Sequence, residues 1–115
     1  MSLEGTLETT GDATGPVTFQ FTVTNTGAEP IELEFTDACK AEFVVEDDGT
    51  EIWRFTEGRM FAQVMSSKTL DPDESLTVDA EWADPDPGEY DAVAELRARN
   101  ETCNAGTEIT VASAP

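Results

Sequence analysis

The chain contains no histidine. That removes the side chain that ordinarily serves as a general base near neutral pH and as the commonest metal ligand. It also removes every Ser-His-Asp or Cys-His arrangement. Two cysteines are too few for a four-thiolate zinc site. A catalyst built here would run on carboxylates alone, and among 25 Asp and Glu a chance pair in a cleft carries no weight. The sequence therefore points away from an enzyme and assigns no catalytic, cofactor-binding or metal-ligating residue. Base is scarce too: there are six Lys and Arg, and the lysines are Lys40 and Lys68. No basic stripe can be drawn for phosphate groups, so nucleic acid and anionic membranes are excluded as main partners. Nor is there a run of about 18 apolar residues, as a membrane-spanning helix needs. The start, Met1-Ser2-Leu3-Glu4-Gly5, lacks the basic and apolar segments of a secretory signal. Met1-Ser2-Leu3 reads equally well as vector-derived, so the cytoplasm is the default location only.

What is abundant is acid. The net charge is −19, and the carboxylates recur in nearly every expected loop and on most outward strand positions. Such evenly spread acidity with little lysine suits a concentrated-salt solvent. At about 1 M salt the Debye length is roughly 3 Å, which screens the self-repulsion that would strain the fold in dilute buffer. The reading is a salt-accumulating halophile, with an ordinary acidic protein as the alternative. Hydrophobic content of 38 % over 115 residues supports a core rather than disorder, so residues 1–115 read as one domain.

Alternation with period two runs along most of the chain, and no helical stripe is found. Val17, Phe19, Phe21 and Val23 alternate with Thr18, Gln20, Thr22 and Thr24. After Asn25-Thr26-Gly27 come Ile31, Leu33 and Phe35; Phe43 and Val45 then lead to Asp48-Gly49, a strong hairpin signal. Further strands are expected at residues 51–55, 76–82, 90–98 and 109–111, with a short first strand over 3–8. About eight strands separated by turns predict an all-β, immunoglobulin-like antiparallel β-sandwich. Tyr90, just past Pro87-Gly88, suits a tyrosine corner, though a Tyr that merely fills the core fits equally. Residues 56–74 lack clean alternation, and residues 61–65 there fit either a short strand or a helical turn.

Several local signals are weak. Glu46-Asp47-Asp48-Gly49, Asp71-Pro72-Asp73-Glu74 and Asp84-Pro85-Asp86-Pro87 cluster oxygen ligands, but none has EF-hand spacing, and salt-adapted turns explain them. Cys39 and Cys103 fall in expected loops, where a disulfide and two free thiols fit equally well. Asn100-Glu101-Thr102 is a glycosylation sequon, which would matter only on an exported protein.

The densest aromatic stretch is Trp53-Arg54-Phe55-Thr56-Glu57-Gly58-Arg59-Met60-Phe61. It lies in a longer series: Thr24-Asn25-Thr26-Gly27, Pro30 to Phe35, Glu42-Phe43, Asp48-Gly49, Ile52-Trp53-Arg54 and Met60-Phe61. Leu70-Asp71-Pro72-Asp73-Glu74-Ser75, Trp82 and Pro87-Gly88-Glu89-Tyr90 complete it. In this order, from about Phe19 to Leu96, the chain resembles the BsuPI-type intracellular proteinase inhibitor domains. Asp73 stands where that family usually has Gly, and Ala38-Cys39-Lys40 replaces a typical Ser-Gly-Gln.

The resemblance implies an intracellular inhibitor with a protein partner, a subtilisin-like serine proteinase, and no cofactor. Such an inhibitor presents a rigid loop with an anchor side chain to a specificity pocket. The irregular residues 56–62 are the best place for it, with Arg54, Arg59, Met60 and Phe61 as candidate contacts. By hydrophobicity alone Met60 and Phe61 read instead as core plugs, and the two arginines as partners of nearby acids. The rival reading is a non-inhibitory immunoglobulin-like interaction module. A weaker one is a carbohydrate- or cation-binding module using Trp53, Trp82 and the acid loops, which exposed indole rings would favour.

Overall fold

The computed structural model describes residues 3–10, 16–58 and 60–111. Among these there is no helix, and every strand pairing is antiparallel. In chain order the strands are β1 (Leu3–Thr10), β2 (Val17–Asn25), β3 (Ile31–Phe35), β4 (Ala41–Asp47) and β5 (Thr50–Arg54). They continue with β6 (Ser66–Leu70), β7 (Ser75–Trp82), β8 (Gly88–Leu96) and β9 (Asn104–Val111). One sheet has the order β1-β2-β7, a second β5-β4-β8-β9, and β3 pairs with β6. All eight strands expected from alternation are present. The ninth, β6, lies inside the segment that gave no alternation, because four of its five residues are exposed and polar.

The apolar halves of the alternating strands make the core. Phe19, Phe21 and Val23 of β2 and Phe43 and Val45 of β4 are almost wholly excluded from solvent. Phe19 stacks on Phe43 across the sandwich with ring centres 5.8 Å apart, and Phe21 meets Phe43 edge-on at 6.4 Å. The alternating small residues Ala92 and Ala94 of β8 are also buried, leaving room for the facing phenylalanines. The architecture is an immunoglobulin-like antiparallel β-sandwich.

Turn chemistry sets the register. Asp48 and Gly49 both take positive φ, 51° and 84°, as a two-residue type I′ hairpin requires, and Asp47 pairs with Thr50 across it. Asp73 also takes positive φ, 69°, so the turn that favours Gly in related sequences accommodates Asp here. A glycine is demanded at position 5 for a different reason. A Cβ there would lie 2.8 Å from the Asn104 carbonyl oxygen and 3.1 Å from the Phe21 ring, so Gly5 lets β1 pass close beside β9.

Asn25 is the one fully buried polar residue among those described. Its Nδ2 donates to the carbonyls of Glu29 (2.7 Å) and Leu70 (2.9 Å), and its Oδ1 accepts from the Gly27 N–H (2.9 Å). The Asn-Thr-Gly signature thus shapes its own turn and fastens the end of β6 to it.

The tyrosine corner is formed. Tyr90 and Trp82 are both buried, meet edge-to-face at 5.2 Å, and lie either side of the Asp84–Pro87 turn. The Tyr90 hydroxyl donates to the Asp86 carbonyl at 2.6 Å, with the Pro87 carbonyl at 3.3 Å. Burial, with Asp86 and Asp47 nearby, pushes the phenol pKa above its ordinary value, keeping it a donor. Tyr90→Phe should therefore cost about 1 kcal/mol in a denaturation experiment. No change in the midpoint would show that the bond is dispensable.

Candidate functional site

The connection from β5 to β6 is the longest irregular stretch among the described residues, and it is held at three points. The first is Glu42, which faces away from the core on β4 and is nonetheless buried. Its Oε1 accepts from the backbone N–H of Phe43 (3.0 Å) and Thr56 (3.2 Å), and its Oε2 from Arg54 Nη1 (3.2 Å) and the Thr56 hydroxyl. Arg54 also grips Glu51 with two bonds, Nη2 to Oε1 at 2.7 Å and Nε to Oε2 at 3.3 Å. These carboxylates hold the guanidinium pKa above its already high value, so Arg54 is permanently cationic. The second point is Phe61, half-buried, whose ring sits 6.0 Å from Phe55, which in turn meets Phe43 edge-on at 5.7 Å. The third is the Ala62 carbonyl, which accepts from the Ala38 N–H at 2.9 Å.

Met60 sits between the first and second of these points and is 99 % exposed. This corrects the expectation that Met60 plugs the core: of the adjacent pair it is Phe61 that packs on the Phe55 ring, and Met60 is turned to solvent. Phe61 does pack inward as expected. Arg54 is paired with acids and fixes the start of the connection, while Arg59 lies outside the described residues. Val64 (58 %) and Met65 (73 %) continue the exposed apolar series toward β6. Single apolar side chains on a surface are ordinary, and contiguous ones are informative.

Glu42 was not legible as special, being one of 25 acids. Glu42→Ala leaves two backbone N–H groups and the Thr56 hydroxyl without their acceptor, and takes from Arg54 one of its two carboxylate partners. It should cost about 2–4 kcal/mol, read as a lowered denaturation midpoint. A midpoint unchanged within error would mean that water replaces the carboxylate freely.

The remaining sequence signals resolve into structural tasks. Cys39 and Cys103 are free thiols. Cys39 is buried and donates to the Ala41 carbonyl at 3.1 Å. Burial and the Glu4 carboxylate push the Cys103 thiol pKa up, which makes it a slow nucleophile. The Asn100 amide donates to the Glu32 carbonyl (2.8 Å) and accepts from the Glu34 N–H (3.0 Å), so the sequon residue is occupied in covering the edge of β3. Glu74 Oε1 accepts from Asp71 N–H at 3.1 Å, closing its own acidic turn. Trp82 is buried, and Trp53 is half-buried and stacks on both Phe19 (5.8 Å) and Trp82 (6.0 Å). The two indoles serve each other and the core rather than standing out as a platform.

The sheet order and the antiparallel pairing of the described strands define an immunoglobulin-like β-sandwich domain. The chain belongs to the BsuPI family, whose model, described as intracellular proteinase inhibitor, matches residues 2–101. Among solved structures it is similar to the sporulation control protein Spo0M of Bacillus subtilis, at 16 % identity and a TM-score of 0.60. That match covers 100 % of this chain and 51 % of that one. It is similar also to the CARDB domain of a Pyrococcus furiosus protein, at 15 % identity and a TM-score of 0.53, covering 97 % of this chain and 98 % of that one. A β-glucosidase of Kluyveromyces marxianus carries a like domain, at 12 % identity and a TM-score of 0.53, covering 97 % of this chain and 14 % of that one. At these identities the likenesses define the fold alone. No curated protein sequence matches.

Proposed function

We propose that the chain inhibits a subtilisin-like serine proteinase in the cytoplasm of a salt-accumulating cell, with the β5–β6 connection as the contact. Family membership supports the inhibitor role. The observation that carries the site is Met60, fully exposed between a buried carboxylate network and a ring anchored on the core. A backbone pinned on both sides of the contact loses little freedom on docking, which is how a preorganised loop binds tightly. Met60 is the anchor that enters an apolar specificity pocket, and Arg59, its neighbour in sequence, is a further candidate contact. Phe61 and Arg54 hold the backbone from behind.

The reading is tested by titrating a subtilisin-type proteinase with the protein in molar salt. Residual activity should fall linearly to zero near one equivalent. Full activity at several-fold excess, against each such proteinase of the host, would replace the reading with a non-inhibitory interaction module.

A further inference from the structure

The second edge of β6 has no partner among the described residues. On β3 the Glu34 N–H and the Glu32 and Glu34 carbonyls bond Asn100 and Arg99, so these two residues turn away from β6. Because backbone groups alternate along an antiparallel strand, Ile31, Leu33 and Phe35 are the ones that bond β6, through Leu70, Lys68 and Ser66. Ser67 and Thr69 consequently aim their N–H and C=O groups outward. The contrast with β3 matters: one edge of this strand pair is covered by the Arg97–Asn100 loop, and the other is left open.

Two further observations fall on the same strip. From Gly58 to Leu70 the sequence has no Asp or Glu, in a chain carrying 25 of them. The other long acid-free stretch, Ala13 to Ala28, contains β2, whose alternate residues are buried. Lys68 is exposed here, although it pairs with wholly buried Leu33 and so shares its face of the strand pair. Val64 and Met65, both exposed, lead into the strand from the side of Met60. An open strand edge with exposed apolar residues normally invites unwanted pairing, and elsewhere this surface repels other acidic chains by charge. Here that protection is relaxed.

We propose that β6 and the residues leading into it, Val64–Thr69, take an extended, carboxylate-bearing segment of the target proteinase as an added strand, extending the Met60 contact. Main-chain bonds at Ser67 and Thr69 supply the pairing, Val64 and Met65 the apolar cover, and Lys68 the ion pair with the segment's carboxylate. A second copy of this chain is the poorer occupant, since its own edge, within the acid-free Gly58 to Leu70, brings another Lys68 and no carboxylate to pair with it. The inference rests on the inhibitor reading above.

The test is the inhibition constant against a subtilisin-type proteinase in molar salt, for the wild type, Met60→Ala, Ser67→Pro and Lys68→Glu, with melting curves and sedimentation on each. Proline at position 67 deletes an outward N–H without touching the β3 ladder, so the fold should persist. Lys68→Glu covers the case in which the proline variant does not fold. Each edge variant should raise the inhibition constant about tenfold, as one lost bond or ion pair implies, with the melting temperature nearly unchanged and the protein monomeric. If Met60→Ala weakens inhibition while the folded edge variants inhibit like wild type, the added strand is refuted and the inhibitor reading stands. If the wild type inhibits nothing, both fall. If the edge variants instead dissolve a dimer and leave inhibition intact, the edge belongs to a second copy and the proposal is overturned.

Discussion

Transfer from molar KCl to dilute buffer is expected to lower the melting temperature by more than about 10 °C, or to abolish β-type circular dichroism outright. The cause is general rather than local. Lowering the salt from about 1 M to about 0.01 M lengthens the screening distance from roughly 3 Å to roughly 30 Å, so that carboxylates on all sides of a small domain act on one another. Among the described residues the compensation is small. Ion pairs are formed by Arg54, Arg97 and Arg99, and each of these arginines is at least one-third exposed. Among these pairs Arg54–Glu42 has a buried carboxylate; the others are of the more exposed kind that contributes at most about 1 kcal/mol each, against a net charge of −19. For a domain of this size about 1 kcal/mol corresponds to several degrees. A melting temperature independent of salt would remove the halophile reading and leave an ordinary acidic protein.

Met60→Ala is expected to weaken inhibition by about 30-fold or more, the loss typical of a central anchor of about 2 kcal/mol, while moving the melting temperature by little. The two halves belong together. Deleting a buried methionine side chain costs about 2–5 kcal/mol of stability, so an unchanged melting curve is what a 99 % exposed residue requires. Phe61→Ala provides the contrast: it removes the cap from Phe55 and should lower both stability and inhibition. If Met60→Ala inhibited as well as wild type, the anchor would have to be sought elsewhere.

Strands with one face in the core were legible from sequence, because period-two alternation is the direct imprint of burial on one side. The Asp48-Gly49 hairpin and the Tyr90 corner were legible because each depends on a local conformational requirement that few residues meet. The β6 strand was not, since Ser66-Ser67-Lys68-Thr69 bury nothing and are strand only through their backbone bonds to β3. Glu42 was hidden for the opposite reason. Its burial on the outer face of β4 depends on the Arg54–Thr56 turn folding over it, a tertiary event with no sequence period. Met60 shows where hydrophobicity misleads: adjacent Met60 and Phe61 look equivalent as core material, yet only Phe61 of the two packs on Phe55, and Met60 faces solvent.

The central claim is that the β5–β6 connection is the surface a proteinase meets. Its most direct test is hydrogen exchange of the protein in molar salt, alone and with a subtilisin-type proteinase inactivated at its nucleophile. Protection on binding is expected across Glu57–Thr69, strongest at Met60–Met65, with the Asp84–Pro87 turn and the Asp48-Gly49 hairpin unchanged. Protection at either of those turns, with Glu57–Thr69 exchanging as in the free protein, would contradict the account.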